Sequence, residues 1–180
     1  VAQEESLFRR SNYMVALDDR VREQLAGTAV KPSPQNLYPF SMYGGAYTER
    51  VRFFRNEDSS FMDQPFQVDC IAMAALRMQD YEDPLYYYDP PSEVFLSPWE
   101  AKHATEKNRV DIPAAVTIGK IEQLFRVARD QNVQVLVLSA FGCGAFKNPP
   151  RHMAALFWYV MQRYAGYFNR IVFAIKAGGE

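Results

Sequence analysis

The sequence is poor in the side chains that bind metal ions or act as nucleophiles near neutral pH: two cysteines and two histidines in 180 residues. Cys70 and Cys143 stand far apart, each in or at the end of strand-like sequence. They read as free thiols of a reducing compartment, which makes the expected location intracellular, cytoplasmic or nuclear. Together with His103 and His152 they offer no ligand spacing for zinc, so no metal and no cofactor is expected. An excess of one charge is lacking too. The formal net charge is −1, with 20 Lys and Arg against 21 Asp and Glu, which argues against nucleic acid held by bulk electrostatics. No apolar run approaches the length of a membrane span, so no membrane partner is expected. Internal repeats and low-complexity segments are also missing. The first residue is Val1, not Met, and helix-like sequence follows at once. The native start is therefore expected upstream, and the lack of a targeting signal carries no information.

What is present is a globular composition: 48% hydrophobic and 14% aromatic residues, enough for one ordinary core, read as a single domain over 1–180. The chain is organised around residues 133–164. Val135, Leu136, Val137 and Leu138 form a short apolar run, expected to be a strand buried on both faces. Gly142 and Gly144 follow, where the backbone can take positive φ and lie close to a ligand. Asn148 reads as an N-cap, and Pro149 and Pro150 suit a first helical turn. Met153, Phe157, Val160, Met161 and Tyr164 then keep helical spacing to residue 164. Unpaired backbone N–H groups and a positive helix end would meet at the loop, a physical recipe for holding phosphate. The loop lacks the Gly-Lys-Ser/Thr ending of a P-loop and the third glycine of a dinucleotide fingerprint.

The rest of the chain reads as follows. Residues 3–25 are helical in character. Gln3, Glu4 and Glu5 form the first turn, Leu7, Phe8 and Ser11 an inner face, and Arg9 and Arg10 point elsewhere. A second set of helical turns is expected over 18–25. Residues 26–48 are irregular. Strands are expected over 50–55, over 65–76 with Val68, Cys70, Ile71 and Ala72 as apolar centre, and over 170–175 as a last buried strand. Residues 81–98 form an aromatic, proline-rich loop that covers the core edge or lines a cleft. A helix capped by Asp111, with Pro113 in its first turn, runs to residue 129 on Ala114, Ile118, Ile121, Phe125 and Ala128. Helices alternating with strands imply α/β layers with neighbouring strands parallel.

Two groups of residues could carry chemistry. Glu4 and Glu5 are either two solvated first-turn acids or a general acid beside a sugar-binding carboxylate. Adjacent helical residues point about 100° apart, so they would serve different atoms of one ligand and not share a proton. Cys143, between two glycines, is a small thiol that lets the loop pack closely. A nucleophile there would need a lowered pKa and a base such as His152 or His103, and the surrounding residues are not a nucleophile elbow.

Two segments together resemble one family. AQEESLFRRSN at Ala2 to Asn12 is similar to the end of the catalytic loop of microbial-type poly(ADP-ribose) glycohydrolases, of the macrodomain superfamily. SAFGCGAFKNPP at Ser139 to Pro150 is similar to their diphosphate-binding loop, and the strand at 170–175 and helix 116–129 are also family-like. The resemblance implies a three-layer α/β/α fold with a mixed, largely parallel sheet and ADP-ribose across strand ends. It implies hydrolysis of ribose–ribose bonds in poly(ADP-ribose), carried on ADP-ribosylated proteins, with a place in ADP-ribosylation signalling and the DNA damage response. Gln3, Glu4 and Glu5 correspond to the family's Gln-Glu-Glu. Glu5 would protonate the leaving 2′-oxygen, and Glu4 would hold ribose hydroxyls. Gly142, Cys143, Gly144 and Ala145 would wrap the diphosphate, with Ser139 and Phe141 in the same loop, and Phe146 would pack on the distal ribose. Asn148 is expected to be a helix cap before a ligand contact. The family's Gly-Gly-Gly run and early strands are not in this chain, which is therefore read as the C-terminal portion of a macrodomain with a complementary N-terminal segment elsewhere. The alternatives are a non-catalytic ADP-ribose-binding module and a scaffold fragment.

Overall fold

The computed structural model describes residues 3–17, 40, 42–77 and 112–175. They form two compact units, Val1–Met73 and Ala74–Glu180. The sequence readings for residues 18–25 and 81–98, for most of 26–48, and for His103 and Asp111 lie outside the described residues.

In the first unit, helix α1 (Gln3–Arg10) carries acids in its first turn and arginines in its last, matching both ends of the helix dipole. It stops at Ser11, and α2 (Tyr13–Leu17) begins two residues on. The continuous helix expected from residue 3 is therefore broken, and the two short polar residues at the break show why. Ser11 Oγ donates to Leu7 O (2.7 Å) and accepts the Tyr13 N–H (3.1 Å). Asn12 Oδ1 accepts the Arg52 N–H (2.8 Å) while the Asn12 N–H donates to Arg52 O (3.2 Å). Side chains of this kind offer the backbone an alternative to the helical ladder. The inner face holds as read: Leu7 and Phe8 pack on the core and Ser11 is buried. Arg10 does not point away. Its Nε donates to Arg55 O at 3.2 Å.

Strands β1 (Gly45–Arg55) and β2 (Phe61–Met73) pair antiparallel. β1 begins inside the stretch read as irregular. The register slips between Thr48 and Val51, and again between Phe53 and Arg55. At the first slip Arg50 takes φ 52°, and the Asp69 carboxylate accepts the Arg50 N–H (2.8 Å) and the Tyr47 hydroxyl. One side chain thus closes a β-bulge. Ala46, Val51, Phe53 and Ala72 make the core with Tyr13 and Leu17. Of the four residues expected at the centre of β2, Ala72 alone is buried, and Val68 is 43% exposed. The reason is that α1 and α2 pack on β1.

In the second unit, α3 (Ile112–Asp130) buries Val116, Ile121, Leu124, Phe125 and Ala128 on one stripe, as helical spacing requires. Strands β3 (Val135–Leu138) and β4 (Arg170–Phe173) pair in parallel, Val135 opposite Arg170 and Leu138 opposite Phe173. Helix α4 (Pro150–Met161) buries Met153, Leu156, Phe157 and Val160, then tightens into a 3-10 turn (Gln162–Tyr164). The helix is therefore shorter than read, and Tyr164 packs on Phe125 from the turn (centroids 5.2 Å apart). β3 is buried on one face, not two: Leu136 and Leu138 point in, while Val135 and Val137 are 52% and 63% exposed. β4 is likewise mostly exposed. The fold is mixed α/β, and parallel pairing is confined to β3 and β4 among the described residues. No helix of the described residues is long and apolar enough to cross a membrane.

The bulge is expected to lend the first unit some acid sensitivity. The Tyr47 hydroxyl, and then the Arg50 amide, hold the Asp69 carboxyl below its ordinary 3.8. A depressed carboxyl stabilises the fold above its unfolded value, and that stabilisation is lost as pH falls through the lower folded value. Chemical denaturation of Asp69→Asn and of the parent at a series of acid pH values should show the stability gap between them shrinking from pH 3.8 downward. A gap independent of pH would assign Asp69 no such role.

Candidate functional site

The loop between β3 and α4 is built from four internal hydrogen bonds. Phe141 N–H donates to Ser139 O (2.9 Å), Cys143 N–H to Ala140 O, Lys147 N–H to Gly144 O and Asn148 N–H to Gly142 O (each 3.0 Å). The intervening amides are what such a loop leaves over. Among the described residues, the N–H groups of Gly142, Gly144, Ala145 and Phe146 donate to no protein acceptor. Gly144, Ala145 and Phe146 are consecutive and exposed. Successive backbone amides freed in this way form a concave, positively polarised surface suited to an anion.

The two glycines have different reasons to be there. Gly142 has φ +70°, and a β-carbon on it would lie 2.4 Å from Asn148 Nδ2 and 2.6 Å from Ala75 Cβ. Its small size is needed by the protein itself. Gly144 is not in the left-handed region, and a β-carbon there would meet nothing within 4 Å. Its open side is the side an incoming group would approach. The second left-handed residue of the loop is Lys147, at φ 60°.

Asn148 is not the helix cap. Pro149 takes that position, without a side-chain cap bond. Asn148 is 1% exposed, and its Nδ2 donates to Leu76 O (2.7 Å) and Gly142 O (3.0 Å). The helix end also supplies fewer donors than the sequence reading expected, since Pro149 and Pro150 have no N–H. The donors belong to the loop. Ala75 and Leu76 were not legible as parts of this site, because they lie some 72 residues before Asn148 and carry no motif of their own.

Cys143 is half-buried, its Sγ donates to Phe141 O at 3.7 Å, and burial pushes its thiol up. That is the direction opposite to an activated nucleophile. Phe141 is half-buried and meets Phe157 edge-on (6.3 Å), whereas Phe146 is 37% exposed. An apolar cleft of about 310 Å³ adjoins the loop, and Ser139, Cys143, Met153, Trp158 and Phe173 are among its lining residues. Sequence spacing does not reveal it. The nearest signal is Trp158, a large apolar side chain 65% exposed on α4.

The other motif lies in the first unit, at the start of α1. Gln3 and Glu5 are exposed and Glu4 is half-buried, so the two acids do point to different surroundings. The Glu5 carboxylate is paired with Arg9 one turn on, both side chains about half in solvent or more. Ser139, Phe141, Gly142, Cys143, Gly144, Ala145, Phe146 and Asn148 are thus gathered in one loop of the second unit, and Gln3, Glu4 and Glu5 in one helical turn of the first.

The second unit is an α/β unit with an amide-rich loop at the end of a parallel strand, and the fold as a whole belongs to the mixed α/β class. Among mixed α/β folds the particular likeness is to bacterial poly(ADP-ribose) glycohydrolases. The structure of the Deinococcus radiodurans enzyme in complex with ADP-ribose aligns with a TM-score of 0.66 and 22% identity, over 99% of this chain and 62% of that one. The Thermomonospora curvata enzyme aligns with a TM-score of 0.65 and 25% identity, over 97% and 54%. Its complex with the inhibitor ADP-HPD gives 0.63 and 25%, over 99% and 58%. The microbial-type resemblance read from two motifs is carried by the fold of nearly the whole chain. The chain spans between about half and two thirds of the length of those structures. No protein-family model and no curated protein matches the sequence.

The contrast between the glycines is testable by melting. Gly142→Ala should cost about 1–3 kcal/mol, since it forces a side chain into a disfavoured backbone region against Asn148 and Ala75. Gly144→Ala should stay within about 0.5 kcal/mol of the parent, as at an open surface site. Equal losses would refute the assignment of internal and external roles.

Proposed function

We propose that the chain is the C-terminal portion of a poly(ADP-ribose) glycohydrolase that releases ADP-ribose from polymer on ADP-ribosylated proteins. The observation that carries this is the run of unengaged amides at Gly144, Ala145 and Phe146. It supplies charge-assisted donors for a diphosphate, in a fold like that of glycohydrolases whose structures hold ADP-ribose and ADP-HPD. In this reading Gly142, Gly144 and Ala145 give their N–H groups to the diphosphate, and Cys143, whose N–H is held by Ala140 O, lines the turn between them. Ser139 and Phe141 shape the loop beside it, and Phe146 packs on the distal ribose. We read the 180 residues as one domain of three-layer α/β/α architecture. Val135, Val137 and Val172 form an apolar face of β3 and β4 that a second helical layer would cover.

Glu5 is the general acid of the proposal, with Gln3 and Glu4 on the ribose hydroxyls. Cleavage of the ribose–ribose bond passes through an oxocarbenium-like state and needs a proton on the leaving 2′-oxygen. Glu5 donates it, the bond to the anomeric carbon breaks, and a water held between Glu5 and a substrate phosphate adds to that carbon and returns its proton to Glu5. To act, Glu5 has to leave Arg9. No metal and no cofactor enters this scheme, and an intracellular setting fits a protein that edits ADP-ribosylation. The second reading, an ADP-ribose-binding module without activity, is favoured by the exposed Glu5–Arg9 pair, which is what an ordinary helix start looks like.

Glu5→Gln in the full-length protein should keep ADP-ribose binding and lose polymer hydrolysis by about 10²–10⁴-fold, the usual worth of such a proton transfer. Glu4→Gln should lose affinity together with rate. Hydrolysis followed by chromatography, beside calorimetry, reads both, and parental turnover in Glu5→Gln would leave the binding-module reading.

The loop is tested separately. Gly144→Val should weaken ADP-ribose by about 2 kcal/mol or more in calorimetry, by blocking charge-assisted hydrogen bonds. Phe146→Ala should slow turnover more than it weakens binding, because orientation matters most at the reacting bond. Its exposure means that melting should barely change, which separates it from a core phenylalanine worth about 3–5 kcal/mol.

A further inference from the structure

The loop's free amides are useful only if the loop keeps one shape, and the residues that hold it are not themselves exposed. We propose that Asn148 is a positioning residue. Through it the segment 74–77, which follows β2 in the chain, sets the conformation in which Gly144, Ala145 and Phe146 present their N–H groups. The inference rests on the anion-binding reading of the loop.

Asn148 is a polar side chain 1% exposed. Burying a carboxamide is costly unless its donors are met. Here two carbonyl acceptors lie within reach of one amino group, Leu76 O at 2.7 Å and Gly142 O at 3.0 Å, which fixes the amide orientation. The Gly142 carbonyl accepts a second time, from the Asn148 backbone N–H at 3.0 Å. Residues 142 and 148 are thereby locked together at both ends of the loop, and residues 144–146 lie on the far side of the ring so closed. Neither lock touches the amides left for a ligand.

The third contact explains why the segment matters and not Asn148 alone. A β-carbon on Gly142 would stand 2.6 Å from Ala75 Cβ, so the Gly142 backbone rests directly against Ala75. Leu76 holds the loop by a hydrogen bond, and Ala75 limits where the loop can sit. A displaced 74–77 segment would release Asn148 and open a gap beneath Gly142 together. Binding equilibria are reciprocal, so a ligand that selects the closed loop must also hold the segment in place.

Two variants test this in the full chain without altering any amide donor of Gly142, Gly144, Ala145 or Phe146. Asn148→Leu keeps the approximate volume and removes the donor. Ala75→Val pushes on Gly142 from the segment side. Hydrogen exchange of the free protein is read at the Cys143 and Lys147 amides, and ADP-ribose affinity by calorimetry. Both variants should exchange at least about tenfold faster at those amides and bind ADP-ribose at least about tenfold more weakly, within the usual range of coupling between sites. In the parent, saturating ADP-ribose should slow exchange over 74–77, and in Asn148→Leu that protection should be lost. A residue that merely supports the fold would not link the ligand to that segment.

Parental exchange at Cys143 and Lys147 in both variants would overturn the proposal, as would faster exchange with parental affinity. If Asn148→Leu does not fold, Ala75→Val decides by the same criteria. If the parent itself fails to bind ADP-ribose, the glycohydrolase reading falls, and the exchange rates of the ligand-free proteins still decide whether Asn148 and the segment set the loop.

Discussion

The second unit turns on the fit of one backbone position between two side chains: Gly142 held at φ +70° between the Ala75 methyl and the Asn148 carboxamide. Strand β3 delivers the chain to this point, and helix α4 cannot begin until the chain has come round it. A side chain of any size at 142 would part the three. The free amides of the following residues result from this constraint, because the hydrogen bonds that close the loop use the amides of Cys143, Lys147 and Asn148 and leave those between them. The unengaged amides are thus a by-product of how the turn is closed, and the proline-blocked end of the helix adds few donors to them.

The two units solve the burial problem differently. In the first, two short helices are laid on one strand of a hairpin, and the break between them is attached to that strand, Ser11 by a backbone bridge to Phe53 and Asn12 by its side chain to the Arg52 N–H. In the second, a long helix and a shorter one pack on each other, while Phe157 of α4 reaches Phe173 on β4 (5.3 Å between centroids). The result is one well-covered strand face and one apolar face on which Val135 and Val137 remain exposed.

How far the sequence was legible depends on the range of the forces involved. Helix α3 followed from its spacing, because Ile121, Phe125 and Ala128 are buried for the same periodic reason that made them visible. Parallel pairing of β3 with β4 followed from the helix between them. The glycine loop was legible as a candidate site, since its residues are contiguous. The role of Asn148 was not. Beside two prolines it looks like a cap, and its true partner, Leu76, is remote in sequence. The burial of β3 and of Val68 was overestimated for a related reason: an apolar residue records a preference, and whether another layer meets it is decided elsewhere in the chain. The break at Ser11 was readable only in hindsight, because a serine continues a helix or ends it according to what lies alongside.

The second register slip of the hairpin, between Phe53 and Arg55, falls opposite Pro65 on β2. Among the described residues β2 pairs with β1 alone, and it carries exposed Phe61, Phe66 and Val68. A strand of that length and character is the kind that recruits a neighbour's strand and begins an aggregate. A proline at an irregular point gives such a neighbour no donor to pair with and no continuous edge to follow. The slip that distorts the hairpin therefore also breaks the regularity of the edge that a second strand would have to follow.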